Sequence, residues 1–198
     1  MITLFHSPRT RSTRFIFLLE ELGAPYEIKV VKTRGRDPDG IPDPANPHPH
    51  GKIPAISDDG VVVFESPAIA LYLTDKFPRH RLGPVVGEPG RGAYLSWLAY
   101  YTGVAEPAFV CKFKNYEVPA GTAGWVPVDE VMPVILRQLE RGPYLLGEHF
   151  SAVDILYGTT FAMFLNTPML PQSRVIEDYA RRVTSRPAYA KAQALDGA

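Results

Sequence analysis

Two neighbouring stretches, Lys52-Ile53-Pro54-Ala55-Ile56-Ser57 and Val62-Val63-Phe64-Glu65-Ser66-Pro67, constrain this chain more than any other. The first predicts a strand over residues 53–57 that is entered through a proline. An X-Pro bond tolerates the cis form far better than any other peptide bond and marks a tight entry. Such an entry aims the Ile53 N–H and C=O at an outside peptide instead of a neighbouring strand. The second stretch predicts a strand over residues 61–64 that ends in an acid, a hydroxyl and a helix start. Ser66 is placed as the N-cap and Pro67 at the first helical position. Unpaired N–H groups at a helix start attract a carboxylate, and Glu65 can hold an ammonium. These parts suit a small zwitterionic peptide.

The 198 residues suffice for one large or two small domains. Basic and acidic residues balance at 21 each, which disfavours a general nucleic-acid or polyanion binder. No apolar run approaches the roughly 18 residues that span a bilayer. Met1-Ile2-Thr3-Leu4-Phe5 reads as a strand and not as a signal peptide. One cysteine, Cys111, excludes an internal disulfide framework and a Cys-x-x-Cys pair, so a reducing cytoplasm is expected.

Residues 2–5 form a first strand by alternation and β-branching, and residues 26–31 a second. Between them Phe15, Leu18, Leu19 and Leu22 share one helical face, with Gly23 as the stop. A parallel pair with a right-handed crossover follows. Residues 33–51 contain five prolines among Gly and Asp, which forbids a long helix and leaves room for one short turn at Pro44-Ala45-Asn46. Asp58-Asp59-Gly60 closes a hairpin, and a helix from Pro67 to about Phe77 completes the unit. Residues 78–92 read as a linker. The rest reads as helical: residues 93–113, dense in aromatics, then residues 128–141, then a helix entered at Phe150-Ser151-Ala152-Val153-Asp154, then residues 175–183 and a final helix after Pro187. Ser151 with Asp154 makes an aspartate version of the capping box, a folding feature and not chemistry.

Lys52-Ile53-Pro54 with Glu65-Ser66 at this spacing resembles the glutathione-binding half of the glutathione S-transferase family, and the resemblance extends over nearly the whole chain. It implies a thioredoxin-like domain (βαβαββα) over residues 1–80 and an all-helical domain over residues 88–198. In that family the residue before the cis-proline pairs with the cysteinyl backbone of glutathione, and the Glu-Ser pair grips the γ-glutamyl group. Ile53, Pro54, Glu65 and Ser66 are therefore expected at the tripeptide, with Lys52 and, more weakly, His50 at its glycyl carboxylate. The resemblance further implies a homodimer and attack of the glutathione thiolate on a hydrophobic electrophile. A glutathione-dependent peroxidase or isomerase, or a non-catalytic binding module of the same fold, are the alternatives.

A thiol of pKa about 8.5 must fall by about two units to be mostly ionised, which takes roughly 2.7 kcal/mol of preferential anion binding. One hydroxyl hydrogen bond to a charged acceptor contributes about 1.5–3 kcal/mol, and a helix N-terminus about 0.3–1 kcal/mol. One hydroxyl at the start of the first helix is enough. Ser7, Thr10 and Ser12 all qualify. Ser7-Pro8, with Arg14 further on, resembles the tau-class pattern and ranks first. Thr10 falls where delta-like members carry serine. Ser12 lies beside the cysteine position of beta-class members, which here is Arg11; a first domain without cysteine disfavours thiol–disulfide exchange through the protein's own sulfur. Tyr100, Tyr101, Phe109 and Phe113 are candidates for an apolar electrophile pocket, although aromatics at helical spacing also build cores. His48-Pro49-His50 has too few ligands for a metal, and none is expected.

Overall fold

The computed structural model describes residues 1–33, 40–41, 43–118 and 121–197. Its elements fall into two compact units, residues 1–81 with 186–198 and residues 82–185.

The first unit holds β1 (Ile2–His6), α1 (Thr13–Glu21), β2 (Tyr26–Val30), β3 (Ala55–Asp58), β4 (Val61–Phe64) and α2 (Ser66–Lys76). The sheet runs β2-β1-β3-β4, with β1 parallel to β2 and β3 antiparallel to both its neighbours. This is the thioredoxin-like arrangement. Two expected details differ. The cis Ile53-Pro54 bond is present, but β3 begins at Ala55, so residues 53 and 54 lie ahead of the ladder. The second helix of the βαβαββα order is absent from residues 40–41 and 43–51, which form turns. Prolines there remove the donors a helix needs. Residues 34–39 and 42 of that stretch lie outside the described residues.

The hairpin turn has Asp59 at φ 48° and Gly60 at φ 88°, the two positive values that a type I′ connection requires. Helix α1 explains the one regrouping of the chain. Its expected face of Phe15, Leu18, Leu19 and Leu22 is buried, but so are Ile16 and Phe17. A helix apolar on both sides needs a second cover, and α8 (Pro187–Leu195) supplies it. The Tyr189 ring stands edge-on to Phe17 at 5.5 Å. Arg186 donates twice to the Glu21 carboxylate at 2.7 Å, and Lys191 lies 2.5 Å from Glu20. The final helix, expected within residues 88–198, thus packs with the first unit.

The second unit comprises α3 (Arg91–Tyr100), a π-helical turn (Tyr101–Ala105), α4 (Glu106–Lys114), α5 (Val128–Leu139), α6 (Ala152–Phe164) and α7 (Arg174–Thr184). Helix α6 is its axis, with Ala152 to Gly158 buried without interruption. A Cβ at Gly158 would sit 2.6 Å from Val183, which is why α6 and α7 approach so closely. The capping box at Ser151 is formed. Asp154 also reaches beyond its own helix, accepting from Leu145 N–H and Tyr179 O–H, both at 2.9 Å. Burial pushes its carboxyl up from the usual range, against the pull of these donors. Among the described residues no helix is long and apolar enough to cross a membrane.

Candidate functional site

Strand register assembles the site. Phe5 pairs with Ala55, and Ala55 with Phe64. The residues after β1 (Ser7), before β3 (Ile53, Pro54) and after β4 (Glu65, Ser66) therefore share one end of the sheet. Strands lie about 4.8 Å apart, so β1 and β4 are separated by roughly 10 Å. Three extended residues span about the same distance.

At the centre of this end, Ile53 is half-buried against Phe5, Val31 and Ala55. Among the described residues its N–H and C=O have no hydrogen-bond partner. The loop before it is held from behind: Asn46 Nδ2 donates to Lys52 O at 3.0 Å, and Asn46 Oδ1 accepts His48 N–H at 3.0 Å. Lys52 and His50 are exposed on the same loop.

On the β4 side, helix α2 starts one residue earlier than expected. Glu65 is the N-cap and Ser66, not Pro67, the first helical residue. Ser66 is buried, and its N–H and hydroxyl have no partner among the described residues. Glu65 sits at φ 70°, ψ 131°, a conformation that a side chain disfavours. Its side chain is 63% exposed, so burial does not hold it there.

The place of His48 beside Glu65 is not foreseen in the sequence. Its Nδ1 accepts the His50 N–H at 3.1 Å, which leaves Nε2 as the ring's donor, 3.4 Å from Glu65 Oε1. The ring is buried edge-on against Phe64 at 5.2 Å. The sequence signal here is the His-Pro-His spacing, which has too few ligands for a metal and does not indicate Glu65. Among the described residues no group of three His, Cys, Asp or Glu is placed for a metal ion.

On the β1 side the three candidate hydroxyls differ sharply. Ser12 is fully buried, and its Oγ lies 2.8 Å from His6 Nδ1 and accepts the Ser7 N–H at 3.2 Å. His6 Nε2 faces the Asp196 backbone oxygen at 3.3 Å, an acceptor only, so in the neutral ring Nε2 donates and Nδ1 is an acceptor facing the Ser12 hydroxyl. Ser12 occupies the N-cap position of α1 without a side-chain cap bond. Thr10 Oγ1 is committed within the turn, 2.5 Å from Ser7 O and 2.8 Å from Ser12 Oγ. The Ser7 hydroxyl alone of the three has no partner among the described residues.

The expected electrophile pocket is largely redistributed. Tyr101 and Phe109 are core residues of the helical unit: the Tyr101 hydroxyl lies 2.7 Å from Thr160, and the Phe109 ring packs on Phe164 at 5.7 Å. Tyr100 is half-buried and Phe113 is 64% exposed. Helical spacing could not separate core from lining, because both need the same apolar stripe.

Residues 9–76 match the family model described as glutathione S-transferase, N-terminal domain. The chain is 46% identical over 78 residues to glutathione S-transferase 3 of Schizosaccharomyces pombe, an alignment covering 39% of this chain and 31% of that one. It is 28% identical over 212 residues to the disulfide-bond oxidoreductase YfcG of Escherichia coli, covering 97% and 94%. Among solved structures, a sphingomonad glutathione S-transferase complexed with glutathione superposes with a TM-score of 0.79 at 27% identity, covering 98% of both chains.

Proposed function

The chain belongs to the glutathione S-transferase family, and from that premise we propose that it binds glutathione across the end of its sheet and transfers the thiolate to a hydrophobic electrophile. The observation that carries this reading is the backbone of Ile53 at the cis Pro54, unpaired among the described residues, flanked by the N–H and hydroxyl of Ser66 and the hydroxyl of Ser7, which likewise have no partner among them. The γ-glutamyl carboxylate sits on Ser66 at the start of α2, where the helix dipole favours an anion. Glu65, oriented by His48, holds the γ-glutamyl ammonium. The cysteinyl backbone pairs with Ile53, and Lys52 with His50 meets the glycyl carboxylate. Ser7 donates to the sulfur and lowers its pKa. The thiol proton leaves to water, the C–S bond forms, and the electrophile's leaving group departs with its electron pair. The protein supplies thiolate stabilisation and orientation, with no covalent enzyme intermediate.

A second reading has a specific support, the near full-length similarity to a protein named as a disulfide-bond oxidoreductase. The same thiolate would attack a disulfide, giving a mixed disulfide and a released thiolate. A second glutathione then completes the exchange. Cys111 lies in α4 of the helical unit and no cysteine lies in the first unit, so the exchange runs on glutathione sulfur. A homodimer working in the cytoplasm completes the proposal.

The decisive experiment is calorimetry with glutathione, followed by turnover of a chloronitroaryl acceptor and of a small disulfide. Ser7→Ala is expected to lower turnover about 10–1000-fold, the loss of one hydrogen bond to a charged acceptor, and to raise the pKa of the bound thiol. Thr10→Ala is expected to be milder. An unchanged thiol pKa in Ser7→Ala rejects Ser7 as the activating group. Binding without turnover of either acceptor makes the protein a binding module.

A further inference from the structure

The turn that carries Ser7 is fastened from behind by a residue 187 positions away from Arg9. The Asp196 carboxylate, at the C-terminal end of α8, accepts the Arg9 N–H at 2.9 Å and the Thr13 hydroxyl. It also lies 3.6 Å from His6 Nε2, which faces the Asp196 backbone oxygen as well. From the other ring nitrogen the path continues to Ser12 Oγ and from there to the Ser7 N–H. The carboxylate thus grips both ends of residues 9–13 directly, while the Asp196 backbone oxygen, through His6 and Ser12, is linked to Ser7. The turn needs such a grip. Arg9 is a non-glycine residue at φ 56°, and a backbone of that kind persists only where its surroundings over-determine it.

The order Asp196–His6–Ser12 has the residue types of a hydrolytic triad, but it does not make a nucleophile. Ser12 and His6 are 0% and 1% exposed, so no substrate carbon reaches the Ser12 oxygen. What the arrangement does is orient a backbone. The Ser12 oxygen accepts the Ser7 N–H while its hydroxyl proton is within reach of His6 Nδ1 and the Ser7 carbonyl, and this hold on the Ser7 backbone sets where Ser7 points.

We propose that Asp196 and His6 are positioning residues for the thiolate site: the Asp196 carboxylate holds the turn that carries the Ser7 hydroxyl at Arg9 and Thr13, and His6 holds Ser12 against Ser7. The inference rests on the glutathione reading above. It makes α8 part of the catalytic apparatus although it touches no substrate.

The test compares wild type, Asp196→Ala and the near-isosteric Asp196→Asn. It measures the pKa of enzyme-bound glutathione from the ultraviolet absorbance of the thiolate, kcat and KM for glutathione, and hydrogen exchange at the Ser7 and Arg9 amides. Asp196→Ala is expected to raise the bound-thiol pKa by about one unit and lower kcat about tenfold at neutral pH. Its KM for glutathione stays within about threefold, since the tripeptide contacts are made elsewhere. Exchange at the two amides accelerates by about tenfold or more. Asp196→Asn, whose amide oxygen still accepts, falls between the two and keeps the measurement available if the alanine variant folds poorly. A bound-thiol pKa equal to wild type in both variants, with only a lowered Tm, overturns the proposal and leaves a structural latch. Wild type that binds no glutathione overturns the parent reading, and this inference with it.

Discussion

Glu65 carries a backbone conformation that the proposed glutathione contact would explain. At φ 70°, ψ 131° it occupies backbone territory that glycine enters freely and that a side chain enters at about 1–3 kcal/mol. Burial does not require glutamate there, since its carboxylate is mostly exposed and, among the described residues, meets the His48 ring alone. Replacing it by glycine removes the steric penalty but makes the unfolded chain more flexible, and the two effects nearly cancel. Glu65→Gly is therefore expected to unfold within about 1 kcal/mol of wild type in urea. Its glutathione Kd, measured by calorimetry, is expected to rise about tenfold or more, by loss of a charged hydrogen bond. Clear destabilisation with unchanged affinity would show that the conformation serves folding instead. Residue types in this region were legible because a Pro, an acid and a hydroxyl each have a local chemical meaning. His48 and Asp196 were not, because their partners lie 17 and 190 residues away in the chain and neither is announced by a local pattern.

At the scale of elements, the β3–β4 hairpin and α2 are joined through one buried carboxylate. Asp58 is 3% exposed at the end of β3, and its Oδ2 accepts from Lys76 of α2 and from Tyr72 at 2.6 Å. The Lys76 ammonium first, then the Tyr72 hydroxyl, hold the Asp58 carboxyl below its ordinary range. A depressed folded-state pKa means stability that is present above the unfolded value, about 3.9, and is lost as pH falls through the folded one. Acid unfolding below about pH 4 is thus expected to be steeper in wild type than in Asp58→Asn, whose stability in that window loses this dependence. Urea midpoints at pH 2.5, 4 and 7, each about the stated value, check it; parallel acid limbs in the two proteins would reject the role. The elements themselves were mostly readable, since β-branched alternation, Asp-Gly and the Ser151–Asp154 box act within a few residues. The π-helical turn at residues 101–105 and the second buried face of α1 were not. Both are set by what packs against a helix, and periodicity within one helix reports only its own strongest face.

For the whole molecule, the edge of the sheet raises a question of association. Among the described residues strand β4 pairs with β3 alone, and Val62 and Phe64, which alternate onto one face, are 42% and 40% exposed, with Val61 at 55%. An exposed apolar edge strand invites either a partner or aggregation, and folded proteins usually blunt such edges with charge. Val61-Val62-Val63-Phe64 has no charge in it. A second copy of the chain is the occupant that the family resemblance implies, and it would account for an edge this apolar beside Glu65. Light scattering is expected to give twice the 21.9 kDa of one chain. Val62→Lys places an ammonium on that face and is expected to shift the mass to a single chain while far-ultraviolet circular dichroism stays as in wild type, because the side chain is already solvent-exposed. If Val62→Lys remains dimeric, the second copy sits elsewhere. If wild type is a monomer, β4 is left bare in solution and the homodimer must be abandoned. Because Phe64 borders both this face and the His48 ring, loss of the dimer is also expected to weaken glutathione binding, a coupling that calorimetry on the monomeric variant reads directly.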